Sequence, residues 1–129
     1  MIHIKITVKG EPDVSPFTRI FQYSTKTDEA IFINSAIMIK DRLNRNLKIN
    51  INEAIVVYSA FIISELRNGK SIEQIQKNAS YLLNPEQVMI GVPETLRKVS
   101  FEVTLDEDSM KIVVLNTPIQ ISDYILKST

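Results

Sequence analysis

Ala54, Ile55, Val56, Val57, Tyr58, Ala60, Phe61, Ile62, Ile63 and Leu66 lie so close together that a helix through them has no polar side of any width. A helix that is apolar all round must be enclosed by other elements, so this segment sets the centre of whatever the chain folds into. Both of its ends are marked. Asn50 with Glu53 three residues later has the pattern of a capping box, and Gly69 can take the left-handed conformation that closes a helix. The longest apolar run, Ala54 to Ile63, is interrupted by Tyr58 and Ser59. It falls short of the roughly 20 residues needed to span a bilayer.

Other elements assemble around this helix. A first helix is expected to start near Ser24 to Thr27, where a hydroxyl can cap free amides and Asp28 and Glu29 suit the positive end of the helix dipole. It runs to about Asn44, with Phe32, Ala36, Ile39 and Leu43 on one stripe and Ile33 and Ile37 on a neighbouring one. Ser71 with Gln74 repeats the capping pattern for a third helix carrying Ile72, Ile75 and Ala79 on one face. Asn84-Pro85-Glu86-Gln87 predicts a short fourth helix, ended by Gly91.

After Pro93 the apolar period changes to two. Val99, Phe101, Val103 and Leu105 predict a strand, Asp106-Glu107-Asp108-Ser109 a turn, and Met110 to Leu115 the return strand. Such a hairpin needs a third strand or a partner for stability. Ile2, Ile4, Ile6 and Val8 alternate with polar residues, so Met1 to Lys9 is a candidate for that strand. Gly10 to Asp13 ends it, and Pro16 predicts an irregular stretch after it. The tail from Ile119 to Thr129 has no clear period. The fold class is therefore α+β: a small bundle of about four helices with a C-terminal β-hairpin, joined by an N-terminal strand.

Composition narrows the function. At 129 residues the chain fits one domain. Lys+Arg and Asp+Glu are both 15, so no net field draws it to nucleic acid or to an acidic membrane. The apolar share is 44%, high for so small a domain, and some of that surface is expected to be covered by another chain. There is no cysteine, hence no disulfide or thiolate chemistry, and the alternating start does not read as a signal peptide. A cytoplasmic protein is expected.

Chemistry-bearing residues are scarce. The one histidine, His3, sits in a strand pattern and reads as a surface or satisfied side chain. Asp106, Glu107 and Asp108 lack the spacing and glycine of a calcium loop and read as a solvated turn. Lys40, Arg42, Arg45 and Lys48 give the first helix a basic end, which the helix dipole favours by itself. No catalytic, metal or cofactor-binding residue is expected. The remaining candidate is Met89, Ile90 and Val92, an adaptable apolar patch for a partner chain; the plainer reading is that Val88 and Met89 cover the core while Gly91 and Pro93 redirect the chain into the hairpin.

Several of these segments resemble the gamma subunit of microbial urease. They are the run Leu47-Lys48-Ile49-Asn50, the pair Glu53-Ala54, Ser59-Ala60-Phe61-Ile62, the Asn68-Gly69-Lys70 turn, and Gln87-Val88-Met89 with Gly91-Val92-Pro93-Glu94. The resemblance spans about Ser24 to Ile119, which makes residues 1–21 an N-terminal extension and 22–129 a urease gamma-like domain. It implies a structural, non-catalytic subunit of a nickel enzyme that hydrolyses urea to ammonia and carbamate. It also implies nickel in the alpha subunit, partner alpha and beta subunits, and a trimer of heterotrimers. The alternative is a free-standing helical interaction module derived from the same fold.

The sequence departs from the family pattern in four places. The DEDS turn is one residue longer than the family's Pro-Asp-Gly type, Asn116 stands where a histidine is usual, and Ser24 and Thr25 stand where a proline commonly opens the first helix. Ile90 occupies a position that is commonly charged.

Overall fold

Ile2, Ile4, Ile6 and Val8 are completely buried while their polar neighbours face outward, because the strand they form is an inner strand of a sheet. The computed structural model describes residues 1–12 and 14–120, so of the tail only Ile119 and Gln120 lie within the described residues. Strand β1 (Ile2–Lys9) pairs antiparallel with β2 (Phe17–Tyr23) on one side and with β3 (Lys98–Leu105) on the other. Strand β4 (Lys111–Asn116) completes a four-stranded antiparallel sheet in the order β2-β1-β3-β4. The expected hairpin is thus joined by the N-terminal strand, in the register Ile2 opposite Leu105 and Lys9 opposite Lys98.

Strand β2 corrects the irregular stretch expected after Pro16. Only one side of it contributes to the core. Phe21 and Tyr23 pack on Phe32 of the first helix, with ring centroids 6.0 and 4.9 Å apart. Thr18, Ile20 and Gln22 point to the opposite, exposed face.

The helices cover the apolar face of the sheet. Helix α1 (Lys26–Asn44) starts at Thr25, whose hydroxyl accepts from the Asp28 amide. Phe32, Ala36 and Ile39 are buried, as the first stripe predicts, whereas Ile33 and Ile37 stay exposed. Helix α2 (Ile51–Arg67) is enclosed as expected, with Ala54, Ile55, Val57, Tyr58, Ser59, Ile62 and Ile63 buried. The Asn50–Glu53 capping box is formed, and so is the Ser71–Gln74 box that opens α3 (Ile72–Ala79). Gly69 takes φ +76° between them.

The predicted fourth helix resolves into two pieces. Asn84 caps a single 3-10 turn, Pro85–Gln87, and a four-residue helix α4 follows at Val92–Thr95. Gly91, at φ +93°, precedes α4 instead of ending the earlier turn. The chain between the two is extended because it is tied to residues ahead of α2. The Ile49 amide donates to the Gln87 carbonyl (3.1 Å), and the Met89 amide donates to the Ile49 carbonyl (2.9 Å).

Candidate partner interface

The three residues of the predicted patch separate in the fold. Ile90 is fully exposed and Met89 is half exposed, while Val92 is 4% exposed and belongs to the core. Val92 therefore anchors the segment from beneath, and the apolar surface is that of Met89 and Ile90. Both border a surface hollow of about 290 Å³ floored by Asn50, Ile51 and Thr95. The hydrogen bonds to Ile49 hold this corner in place, so Ile90 projects from a fixed backbone.

A second apolar surface lies on α1. Ile31, Ile37 and Met38 are 57–68% exposed, and Ile33 is 42% exposed. Ile33 and Ile37 line a groove of about 440 Å³ between α1 and α2, with Ala60 and Phe61 on its other wall and Lys40 and Arg67 at its rim. Sequence periodicity identified the Ile33–Ile37 stripe but gave no sign that it stays uncovered. A wide apolar face on a small domain suits an interface with another chain.

Two of the four cations at the basic end of α1 are paired within the chain. Arg42 pairs with Glu53, and Arg45 pairs with Asp41 at 3.2 Å. Arg67 reaches Glu29 at 3.4 Å, which ties α2 to the start of α1. The Asp106 carboxylate accepts a 2.7 Å hydrogen bond from the Met1 amino group, and that bond holds it below its ordinary pKa.

No arrangement among the described residues fits the nickel that the resemblance implies for the enzyme. His3 lies between Gln22 and Thr104 across the sheet, remote from any second imidazole, since the chain has no other. No group of three or more His, Cys, Asp or Glu among the described residues has the spacing to hold a metal ion. The buried Tyr58 hydroxyl and Ser59 Oγ have no hydrogen-bond partner, and burial pushes the Tyr58 pKa upward. A phenol held neutral inside a helix bundle is poorly placed to act as a base.

Comparison with known proteins bears on this arrangement directly. The sequence model of the family "Urease, gamma subunit" matches residues 22–119, which run from the end of β2 through β4. The chain belongs to the urease gamma-subunit family. Its similarity to individual members is substantial. It is 37% identical over 83 residues to urease subunit gamma of Halalkalibacterium halodurans, covering 64% of this chain and 82% of that protein. It is 34% identical over 93 residues to the urease subunit gamma of Synechococcus sp. and 36% identical over 93 residues to that of Prochlorococcus marinus. Each of those two alignments covers 72% of this chain and 92% of the relative. As a gamma-family chain it is a member of a urease complex. The family match includes the three capped helices, the Met89–Ile90 corner and the β3–β4 hairpin. It excludes β1 and most of β2. Among the described residues no helix is long and apolar enough to cross a membrane.

Proposed function

We propose that this chain is the structural, non-catalytic gamma subunit of a multi-chain, nickel-dependent urease that hydrolyses urea to ammonia and carbamate. It assembles with alpha and beta subunits in the cytoplasm as a trimer of heterotrimers, and the nickel is held by alpha. In this reading residues 22–129 are the gamma domain and residues 1–21 an addition to it.

One observation carries the reading: a chain of the gamma family has a single histidine and no cysteine, and that histidine sits on a sheet face opposite neutral side chains. Nickel sites in enzymes depend on imidazole ligands, so the reactive centre must be supplied by another molecule. The chain's part is then to present apolar surface at α1 and at Met89–Ile90 for burial against its partners. No observation favours the free-standing adaptor, since the residues that carry the family match are those of the fold's centre.

Co-expression with the alpha and beta chains tests the assignment by mass. A complex containing all three chains in equal numbers is expected. A monomeric gamma chain beside a fully active alpha–beta complex would overturn it.

A further inference from the structure

The two edges of the sheet are treated differently. At β4 the edge is partly covered, since Gln76 of α3 donates its side-chain amide to the Val114 carbonyl at 2.9 Å. At β2 nothing among the described residues pairs with the outer side of Phe17–Tyr23. The one additional polar contact there is local, from Arg19 to the Thr18 carbonyl at 3.4 Å. An edge strand with free amides and carbonyls is a template for another strand unless proline, bulges, inward charges or a covering element block it. Strand β2 has no proline, and it pairs with β1 in an unbroken seven-residue register; its one inward charge, Arg19, is exposed and lies over the Phe17 ring.

Two gamma relatives leave no room for this edge. The family match starts at Gln22, and 92% of each of two gamma relatives is already covered by alignment. Too little of those relatives remains to build a β1–β2 hairpin. Here β1 occupies the edge of β3, and the open edge has moved outward to β2.

We propose that β2 is a docking edge for a second copy of this chain, the two sheets continuing into one another across a two-fold axis at Ile20. Side-chain and charge complementarity select this occupant. In an antiparallel self-pairing centred on Ile20, Phe17 faces Tyr23 of the second copy, Thr18 faces Gln22, Arg19 faces Phe21, and Ile20 faces itself. Aromatic meets aromatic, polar meets polar, and no like charges stand opposite one another. The only charged residue of the strand, Arg19, already lies over the Phe17 ring, 4.6 Å from its centroid. It therefore enters the pairing opposite a second aromatic ring. An isologous contact of this kind closes on itself as a dimer. In an assembled urease it joins one complex to another.

The full chain contains no cysteine, which permits a clean test. Ile20 is 60% exposed, so Ile20→Cys and Ile20→Lys should both fold. Directly opposed residues of an antiparallel pair lie close enough for a disulfide. Under mild oxidation Ile20→Cys should give a covalent dimer, while Lys5→Cys, one strand further from the axis, should not. By sedimentation equilibrium the unmodified chain should dimerise and Ile20→Lys should associate at least tenfold more weakly, with a melting temperature equal to that of the unmodified chain at concentrations too low for either to dimerise. Three results would each overturn the proposal: a monomeric chain at high concentration, a dimer indifferent to Ile20→Lys, or cross-linking of the Ile20→Cys variant to an alpha or beta chain in the complex.

Discussion

Ile6 of β1 lies directly opposite Phe101 of β3, and neither side chain has any exposure to solvent. The N-terminal strand is therefore part of the core, although the family match begins after it. Phe101→Ala should cost about 3–5 kcal/mol and Ile6→Ala about 2–5 kcal/mol. Deleting residues 1–21 should lower the melting temperature more than either, since it removes four buried side chains of β1 and reopens the β3 edge. Thermal unfolding of the full chain and of these variants checks the order.

Asn50 illustrates how much a single cap contributes. Its side chain accepts from the Glu53 amide at 2.9 Å, and the Glu53 carboxylate accepts from the Asn50 amide at 2.9 Å. Asn50→Ala should destabilise the chain by about 1 kcal/mol. The denaturation midpoint should fall while the slope of the transition stays the same.

Gly69 and Gly91 should respond to alanine for backbone reasons alone. Both have positive φ, and a Cβ placed on either meets nothing within 4 Å. Each substitution should therefore cost about 1–2 kcal/mol from the left-handed conformation, with no added cost of a clash. A much larger loss at either site, measured by urea unfolding, would contradict this geometry.

The contact between Met1 and Asp106 predicts a shallow dependence of stability on pH. The amino group is raised above its ordinary 8.0, first by the Asp106 hydrogen bond and then by that of Glu29, while Asp106 is lowered below 3.8 by the amino group. A depressed carboxyl stabilises above its unfolded pKa and loses that contribution as the pH falls through the folded value. A raised amine stabilises below its unfolded pKa and loses that contribution as the pH rises through the folded value. Asp106→Asn, which tolerates the φ of +54° at this position, should melt slightly lower than the unmodified chain near pH 6. The difference should shrink below about 3.8 and above 8.0.

Ile90 provides the test of the partner surface. It makes no core contribution, so Ile90→Asp should leave the stability of the isolated chain within about 0.5 kcal/mol. Its assembly with partner chains should weaken at least tenfold, as read by titration of the complex. Val92→Asp should instead unfold the isolated chain, because that side chain is buried.

Local signals explain which parts of this fold were readable in the sequence. Asn50 with Glu53, Ser71 with Gln74, and Thr25 ahead of Asp28 are short-range patterns whose hydrogen bonds close within one turn. Strict alternation in β1 and β3 reports two strands with one buried face. Strand β2 escaped because Arg19 interrupts its inner face and Ile20 lies on its outer one, so its alternation is broken. Only its pairing with β1 defines it. The break at Val88–Met89 depends on a bridge to Ile49, far away in the chain. For the same reason apolar character alone did not separate Val92, which is inside, from Ile90, which is outside. Ile37 and Ile39 present the same difficulty on α1. Which of them is covered depends on where α2 and the sheet lie.

The most direct test of the central claim is urea hydrolysis and nickel content, measured on the purified chain alone and on its complex with alpha and beta. The account predicts that the isolated 14.7 kDa chain binds no nickel and turns over no urea, while the three-chain complex does both. Hydrolysis by the isolated chain supplied with nickel would contradict it.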